Sequence, residues 1–122
     1  MHLDHKSEIP IYLQIAREIE DAIFIGAFEE ETQIPSTTEI SMSLKINPAT
    51  VLKGINILVD EGIIYKKRGL GMFVCEGAST TIKEKRQKEF YQNYIKPLIS
   101  EAKKLDLQLP EMMKLLERGF KE

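Results

Sequence analysis

The sequence predicts an α+β fold that is mostly helical, on three observations. An S-x-x-E motif at Ser36 and an Asn47-Pro48 pair each mark the start of a short helix. Two runs rich in β-branched and aromatic residues follow, separated by a glycine-rich gap, which predicts a β-hairpin. Apolar residues then recur at three- and four-residue steps to the end of the chain, which predicts further helices.

Length and composition are those of one globular domain with a small appendage. The chain has 122 residues, of which 43% are hydrophobic and 30% charged. No apolar run approaches the ~20 residues of a membrane span, and the N-terminus lacks the apolar stretch of a signal peptide. The single cysteine, Cys75, lies in an apolar run and excludes an internal disulfide. We therefore expect a cytoplasmic protein with no membrane partner.

The first helix is expected to start at Glu8-Ile9-Pro10 and to end at Gly26. Its apolar residues form one amphipathic stripe: Tyr12, Ile15, Ala16, Ile19, Ala22 and Ile23. We interpret this helix as scaffold. The acidic turn over residues 29–31 is interpreted as a solvated loop. A metal site there remains an alternative, although no His or Cys accompanies the carboxylates.

Capping signals define the next two helices. The Ser36 side chain can accept a hydrogen bond from the amide of Glu39, whose carboxylate can reach back to the Ser36 amide. Asn47 is a favoured N-cap, and Pro48 at the first helical position loses only an amide that has no helical partner. Glu61-Gly62 is expected to end this second helix.

The helix after Asn47 has two distinct faces. Its apolar residues Val51, Ile55 and Leu58 recur at i, i+4 and i+7, which predicts a single buried stripe. The opposite side offers small or polar groups suited to base edges and phosphates: Ala49, Thr50, Lys53 and Asn56. This pattern favours a helix that reads DNA.

The hairpin is predicted from residues 63–67 and 72–75. Between them, Arg68-Gly69-Leu70-Gly71 follows two lysines, and glycines let the backbone approach a phosphate or a minor-groove floor without obstruction by Cβ. The glycines alone would indicate only a turn. After a helix–turn–helix, the same hairpin is typical of the wing of a winged helix.

Charge is unevenly distributed. The net charge is −2, and residues 1–78 hold seven Lys and Arg against twelve Asp and Glu, a net charge of −5. Residues 45–68, however, carry a net charge of +3, from Lys45, Lys53, Lys66, Lys67 and Arg68 against Asp60 and Glu61. Basic charge is thus concentrated where DNA contact is expected, but the rest of this half is acidic. Such a distribution attracts DNA less than a wholly basic domain does, so we expect modest non-specific affinity.

The segment after the hairpin is predicted to be a separate module, with domains at 1–76 and 77–122. A capping box at Thr81-Ile82-Lys83-Glu84 is expected to start its first helix, and Pro97 should kink or break that helix at Lys96. A second short helix restarts near Pro110. The apolar positions expected to mediate dimerisation are Tyr91, Tyr94, Ile95, Leu98, Ala102, Leu105, Met112, Leu115 and Leu116.

Two amphipathic helices are too few to bury a core alone. Their apolar faces must pack on the first domain or on another copy of the chain. We favour another copy, because helix–turn–helix proteins commonly bind two half-sites as dimers. An alternative for Tyr91, Tyr94 and Met112 is that they line a cleft between the two C-terminal segments, which would bind an apolar effector. Stripes of aromatic and methionine side chains are, however, more often part of a dimer core. No cofactor or metal is predicted.

Five segments, in order, resemble the N-terminal winged-helix domain of GntR-type bacterial transcription regulators over residues 8–75. They are IPIYLQI (9–15), IPSTTEI (34–40), NPATV (47–51), EGII (61–64) and RGLGMFV (68–74). The short two-helix tail resembles the YtrA subfamily, whose tail mediates dimerisation and is too small for the usual effector-binding domain.

The resemblance implies DNA contacts from the first motif helix, the reading helix and the wing tip: Ser36, Thr38, Asn47, Ala49, Thr50, Lys53, Arg68, Gly69 and Gly71. Many family members carry Arg where this chain has Thr38 and Leu52. Because Arg is the usual bidentate reader of guanine, the replacements imply a different operator preference, with Leu52 against a thymine methyl, or weaker binding overall. Glu31 also stands where a Gly often ends the loop.

We therefore predict a sequence-specific DNA-binding transcription regulator, a repressor acting as a homodimer on a palindromic operator. The alternative is a winged-helix module that binds protein, which the negative N-terminal half and the missing arginines favour. The sequence contains no nucleophile–base pair, metal-ligand spacing or phosphate-binding loop, so no enzyme is predicted.

Overall fold

The computed structural model describes all 122 residues and divides them into two compact units, Met1–Glu84 and Lys85–Glu122. The helices and strands of the first unit are, in order, α1 (Ile11–Phe24), α2 (Thr37–Leu44), α3 (Pro48–Asp60), β1 (Ile64–Lys67), β2 (Gly71–Val74) and the start of α4 (Ala78–Phe90). The second unit holds the rest of α4, a π-helical turn (Tyr91–Ile95), α5 (Lys96–Lys104) and α6 (Leu109–Lys121). The predicted α+β winged helix-turn-helix is confirmed.

The core of the N-terminal unit is formed where α1 packs on α3. Ile15 and Ile19 of α1 are fully buried against Val51 and Ile55 of α3, and the predicted stripes of both helices are thereby confirmed. The two backbones approach closely at Gly54, where an added Cβ would stand 2.6 Å from the carbonyl oxygen of Tyr12. Glycine is therefore required at this helix crossing.

Both predicted caps are present. The Glu39 amide donates to the Ser36 hydroxyl at 3.0 Å, and the Ser36 amide donates to the Glu39 carboxylate at 3.1 Å. The Ala49 amide donates to Asn47 Oδ1 at 2.8 Å, with Pro48 in the first turn of α3. Between the helices, Lys45 adopts a left-handed conformation at φ 56°, which turns the chain sharply from α2 into α3.

The hairpin pairs β1 and β2 antiparallel, with Ile64 opposite Val74 and Lys67 opposite Gly71. The segment before α2 adds a short third line of pairing, because the Ile34 amide donates to the Met72 carbonyl at 3.0 Å and the Val74 amide donates to the Thr32 carbonyl at 3.0 Å. Ile64 and Val74 are buried, so one face of the hairpin closes the core. The loop ahead of α2 and the hairpin therefore hold each other in place.

The start of α4 differs from the prediction. The expected capping box at Thr81 is wrong, because the helix begins at Ala78 and the Thr81 hydroxyl instead donates back to the Gly77 carbonyl at 3.2 Å. The Gly77 amide donates to the carboxylate of Glu30, which comes from the acidic loop. Ala78 and Ile82 are fully buried in the N-terminal core, so the first unit extends to Glu84, eight residues past the expected boundary at residue 76.

The C-terminal unit is almost entirely helical. The π-helical turn ends where α5 begins, one residue before Pro97, and the missing amide of that proline explains the interruption expected there. Asp106 turns the chain from α5 towards α6 at φ 57°, and the Leu107 amide donates to the Ala102 carbonyl at 2.9 Å. None of the helices of the chain is both long and apolar enough to cross a membrane.

Candidate nucleic-acid interface

The outer face of α3 is open to solvent. Val51, Ile55 and Leu58 are buried on the inner side, whereas Ala49 and Lys53 are exposed and Thr50 is half-buried. Leu52 shares this outer position and is 41% exposed. Small, cationic and apolar groups thus stand together along the first two turns of the helix, and side chains of these kinds can contact base edges in a major groove.

Helix α2 and the turn after it contribute polar groups. Thr38 and Lys45 are exposed, and Ser36 is half-buried. The Ser36 oxygen already accepts from the Glu39 amide, so its hydroxyl hydrogen is left to donate to an acceptor such as a phosphate. The turn is closed from the inside by Ser41, whose hydroxyl donates to the Ile46 carbonyl at 2.5 Å.

The hairpin carries three consecutive exposed cations, Lys66, Lys67 and Arg68. Lys66 and Lys67 point to opposite faces, because successive residues of a strand alternate. The Lys67 ammonium lies 4.8 Å from the ring centroid of Phe73, within the range of a cation–π contact, and Phe73 in turn stacks on Tyr65 at 5.8 Å. One wing cation is thus held over an aromatic pair.

The tip of the hairpin is a tight turn. The Leu70 amide donates to the Lys67 carbonyl at 2.9 Å, and Gly69 adopts a φ of 79°, a conformation that glycine takes without strain. Leu70 projects at the tip and is 62% exposed. The backbone at Gly69 carries no side chain, so it can approach a groove floor closely.

Gln33 supports this tip, a role that the sequence did not indicate. Its Nε2 donates to the Leu70 carbonyl at 2.7 Å. The backbone of Gln33 also forms an isolated antiparallel β-bridge with Phe73 of β2. A Cβ at Gly71 would stand 2.6 Å from the same nitrogen, so the glycine leaves room for the amide. No strand or capping pattern surrounds Gln33, and its contact depends on a chain segment that lies far away in sequence.

The N-terminal unit therefore holds every residue predicted to touch DNA, and none of those side chains is buried. The unit also places the Lys53 ammonium 4.1 Å from the ring centroid of Tyr12, a residue assigned to the scaffold from its sequence. The sequence did not indicate this contact, because an aromatic residue in an amphipathic stripe is ordinarily interpreted as part of the core.

The residues predicted for dimerisation lie in the C-terminal unit. Ala102 is buried within that unit, Ile95 and Met112 are half-buried, and the other predicted positions are exposed: Tyr91, Tyr94, Leu98, Leu105, Leu115 and Leu116. Further exposed apolar side chains that the prediction left out are Phe90, Ile99, Leu109, Met113 and Phe120. The exposed apolar surface of this unit is thus larger than the sequence indicated.

The groups considered for other chemistry are the single cysteine and the acidic loop. Cys75 is half-buried beside the core, and burial raises the pKa of its thiol, which therefore stays protonated at neutral pH. No group of three or more His, Cys, Asp or Glu side chains is arranged to hold a metal ion. The carboxylate of Glu30 instead accepts a hydrogen bond from the amide of Gly77, the residue before α4.

Comparison with known proteins agrees with this geometry. Residues 11–74, about half of the chain, match the family described as bacterial regulatory proteins, gntR family. The HTH-type transcriptional repressor YtrA of Bacillus subtilis is 30% identical over 112 residues, covering 92% of this chain and 85% of that protein.

Two solved structures are similar as well. A GntR-family regulator from Bacteroides thetaiotaomicron superposes with a TM-score of 0.76 at 33% identity, covering 91% of this chain and 96% of that one. The DNA-binding domain of AraR in complex with an operator superposes with a TM-score of 0.56 at 30% identity, covering 62% of this chain and 93% of that one. With the winged helix, these matches show that the chain belongs to the gntR family of bacterial regulators, DNA-binding transcription regulators rather than enzymes.

Proposed function

We propose that the chain represses transcription in the cytoplasm by binding a palindromic operator as a homodimer. The observation that carries the proposal is the outer face of α3, where Ala49 and Lys53 are exposed while the opposite stripe is fully buried. A helix with one such face can enter a major groove without disturbing its own core. The relative YtrA is a repressor by name, which supports the repressor role. The AraR domain is bound to an operator, which supports operator binding.

In this proposal each subunit contacts DNA at three places. The start of α2 offers Ser36 and Thr38 to phosphates, α3 reads base edges, and the wing tip enters the flanking minor groove. Lys45, Lys66, Lys67 and Arg68 supply salt-dependent attraction to phosphates. Leu52 at 41% exposure fits a thymine methyl, so A·T pairs are expected opposite it, where an Arg at this position would read guanine.

The homodimer is proposed from the C-terminal unit. Phe120 is 92% exposed and Leu109 is 72% exposed, an unfavourable state for such large apolar side chains in water. A second copy brings an identical apolar surface, and a two-fold dimer allows the same residues to pack on each other. Two subunits related in this way present two α3 helices to two half-sites of a palindrome.

A salt titration of operator affinity tests the DNA contacts. The test ligand is a duplex taken from the region upstream of the gene itself. Replacing both Lys67 and Arg68 by Ala should weaken binding to all sequences and reduce the slope of log K against log salt by about 2, because each phosphate contact contributes about 0.9. The double variant Lys103→Ala with Lys104→Ala is the control, since it removes the same charge from the C-terminal unit.

The two variants must differ for the wing assignment to stand. If the slope is unchanged in the wing variant, the wing does not contact phosphate. If it falls equally in the control, the slope reports the total charge of the chain, and the assignment of phosphate contacts to the wing loses its support. A footprint on the same duplex should show two protected half-sites separated by about one helical turn or a multiple of it.

A winged-helix module that binds protein is the second candidate. It is favoured by Met42 and Leu52, which are 75% and 41% exposed on the two helices of the motif, and by the net negative charge of the N-terminal half. The upstream duplex separates the candidates in a gel-shift assay. Retardation at ~100 nM protein supports the operator-binding function, and no retardation at micromolar protein supports the protein-binding module.

A further inference from the structure

Tyr12 and Lys53 form a contact between the scaffold helix and the reading helix. The Lys53 ammonium lies over the Tyr12 ring, 4.1 Å from its centroid. A cation within about 6 Å of an aromatic centroid is attracted by the electron-rich face of the ring. Tyr12 is half-buried and Lys53 is exposed, so the contact lies at the surface, where the outer side of α3 meets the start of α1.

The contact is a consequence of how closely α1 and α3 approach. Gly54 follows Lys53, and a Cβ at Gly54 would stand 2.6 Å from the Tyr12 carbonyl oxygen and 3.2 Å from the Ile15 Cβ. The absence of a side chain at Gly54 therefore brings the backbone of Tyr12 against α3. Val51 and Ile55, which flank this position, are fully buried and hold α3 in place.

We propose that Tyr12 is a positioning residue for DNA recognition, whose ring orients the Lys53 ammonium towards a phosphate of the operator. A free lysine side chain samples many rotamers, and ordering it on binding weakens affinity. The ring limits this sampling before DNA arrives, while the exposed side of the ammonium keeps its hydrogens available to phosphate oxygens. The proposal rests on the proposed DNA-reading function of α3 and assigns a recognition role to a residue of α1.

A double-mutant cycle measured on the upstream duplex tests the proposal. Tyr12→Leu should weaken binding about threefold, because the lysine side chain must then be ordered on binding, and ordering one such side chain costs an affinity factor of about this size. Tyr12→Phe, which keeps the ring, should bind like the wild type. In a Lys53→Ala background, Tyr12→Leu should have no further effect on affinity, because the group that the ring positions is gone.

Two results would overturn the proposal. If Tyr12→Leu weakens binding equally in both backgrounds, the ring acts by packing and not through Lys53. If Tyr12→Phe loses as much affinity as Tyr12→Leu, the phenolic hydroxyl itself contacts DNA. Thermal unfolding of each variant shows whether it is folded under the conditions of the assay.

A measurement on the free protein separates this proposal from the proposed function. The ring current of Tyr12 should shift the side-chain methylene protons of Lys53 upfield in the wild type and in Tyr12→Phe, but not in Tyr12→Leu. If these shifts are absent in the wild type, the positioning proposal fails even where DNA binds. If they are present and the duplex does not bind, the DNA-reading function is what fails. This spectrum also remains informative if Tyr12→Leu does not fold, with Tyr12→Phe and Lys53→Ala as the comparison.

Discussion

Helices α3 and α6 are both 13 residues long and both amphipathic, yet they differ in what their apolar side chains contact. Helix α3 buries Val51, Ile55 and Leu58 within its own unit. Helix α6 buries none of its residues, although Leu109, Met113, Leu116 and Phe120 recur along one side. The spacing of four, three and four residues is that of a two-helix packing seam, in which a second helix supplies the missing contacts.

The difference indicates that the two units gain stability from different sources. Fourteen buried apolar side chains form the core of the N-terminal unit, whereas Ala102 is the buried apolar residue of the C-terminal unit. We infer that the first unit is stabilised by its own chain and the second by another copy. DNA recognition and assembly should therefore respond to different substitutions.

The largest expected effect comes from a charge on the exposed stripe of α6. Leu116→Asp should convert the dimer to a monomer, because an unpaired carboxylate would be buried in the proposed seam. Operator affinity should fall about 100-fold or more as the two half-sites lose their linkage, while the N-terminal unit stays folded. Light scattering and gel shift measure the two quantities.

The matched control for that variant is Lys114→Gln on the same helix, which lowers the net charge by the same amount. It should leave both mass and affinity unchanged. A Leu116→Asp protein that remains dimeric would show that α6 is not part of the dimer seam.

Two glycines, one in α3 and one in α6, should respond to replacement by alanine with opposite changes in stability. Gly54→Ala should lower the free energy of unfolding by about 2 kcal/mol, because its Cβ would stand 2.6 Å from the Tyr12 carbonyl oxygen. Gly119→Ala meets nothing within 4 Å and should raise the stability of α6 by about 0.5–1 kcal/mol. Urea denaturation of both variants measures the difference, and destabilisation of equal size would contradict the account of the α1–α3 crossing.

A smaller effect, confined to DNA affinity, is expected at Gln33. Gln33→Met keeps the length of the side chain but removes the hydrogen bond to the Leu70 carbonyl, so the wing tip should lose its support. We expect about a fivefold loss of operator affinity, which corresponds to one hydrogen bond of ordinary strength. Because Gln33 is exposed, the melting temperature should change little.

The same substitution at the exposed Gln87 of α4 serves as the comparison for Gln33→Met and should leave affinity as it is. Equal affinity of Gln33→Met and the wild type would mean that the tip is held by its own turn. Hydrogen exchange at the Leu70 amide reports on the order of the tip directly.

An effect of about the same size, on stability this time, is expected where the backbone is strained. Glu31 adopts a φ of 63°, a left-handed conformation that glycine takes without strain, and its amide donates to the Val74 carbonyl at 2.8 Å. Glu31→Gly should therefore raise the free energy of unfolding by about 1 kcal/mol. Glu29→Gly, in the same loop but without a positive φ, should not be stabilising. A loss of stability in Glu31→Gly would show that its side chain contributes more than the strain costs.

Local signals in the sequence predicted most of the N-terminal unit. The Ser36–Glu39 capping box, the Asn47 cap and the buried stripe of α3 each depend on residues within a few positions of one another. The wing followed from two β-rich runs and the glycines between them. These features are encoded locally, which is why their positions were predicted correctly.

Contacts between distant segments were not predicted. The capping box expected at Thr81 is local in the same way, but burial of Ala78 and Ile82 and the carboxylate of Glu30 started the helix earlier. The Tyr12–Lys53 and Gln33–Leu70 contacts join residues 41 and 37 positions apart, and no short pattern records them. Such contacts follow from tertiary packing, which overrides local preference.

In the proposed complex, two copies of the chain, joined through their C-terminal units, present two reading helices to one duplex. Sedimentation equilibrium of the protein saturated with the upstream duplex tests this arrangement, because the mass of the complex gives the number of chains bound. We expect two chains per duplex and a dimer in the absence of DNA. A complex saturated with a single chain, formed from a protein that is monomeric when free, would contradict it.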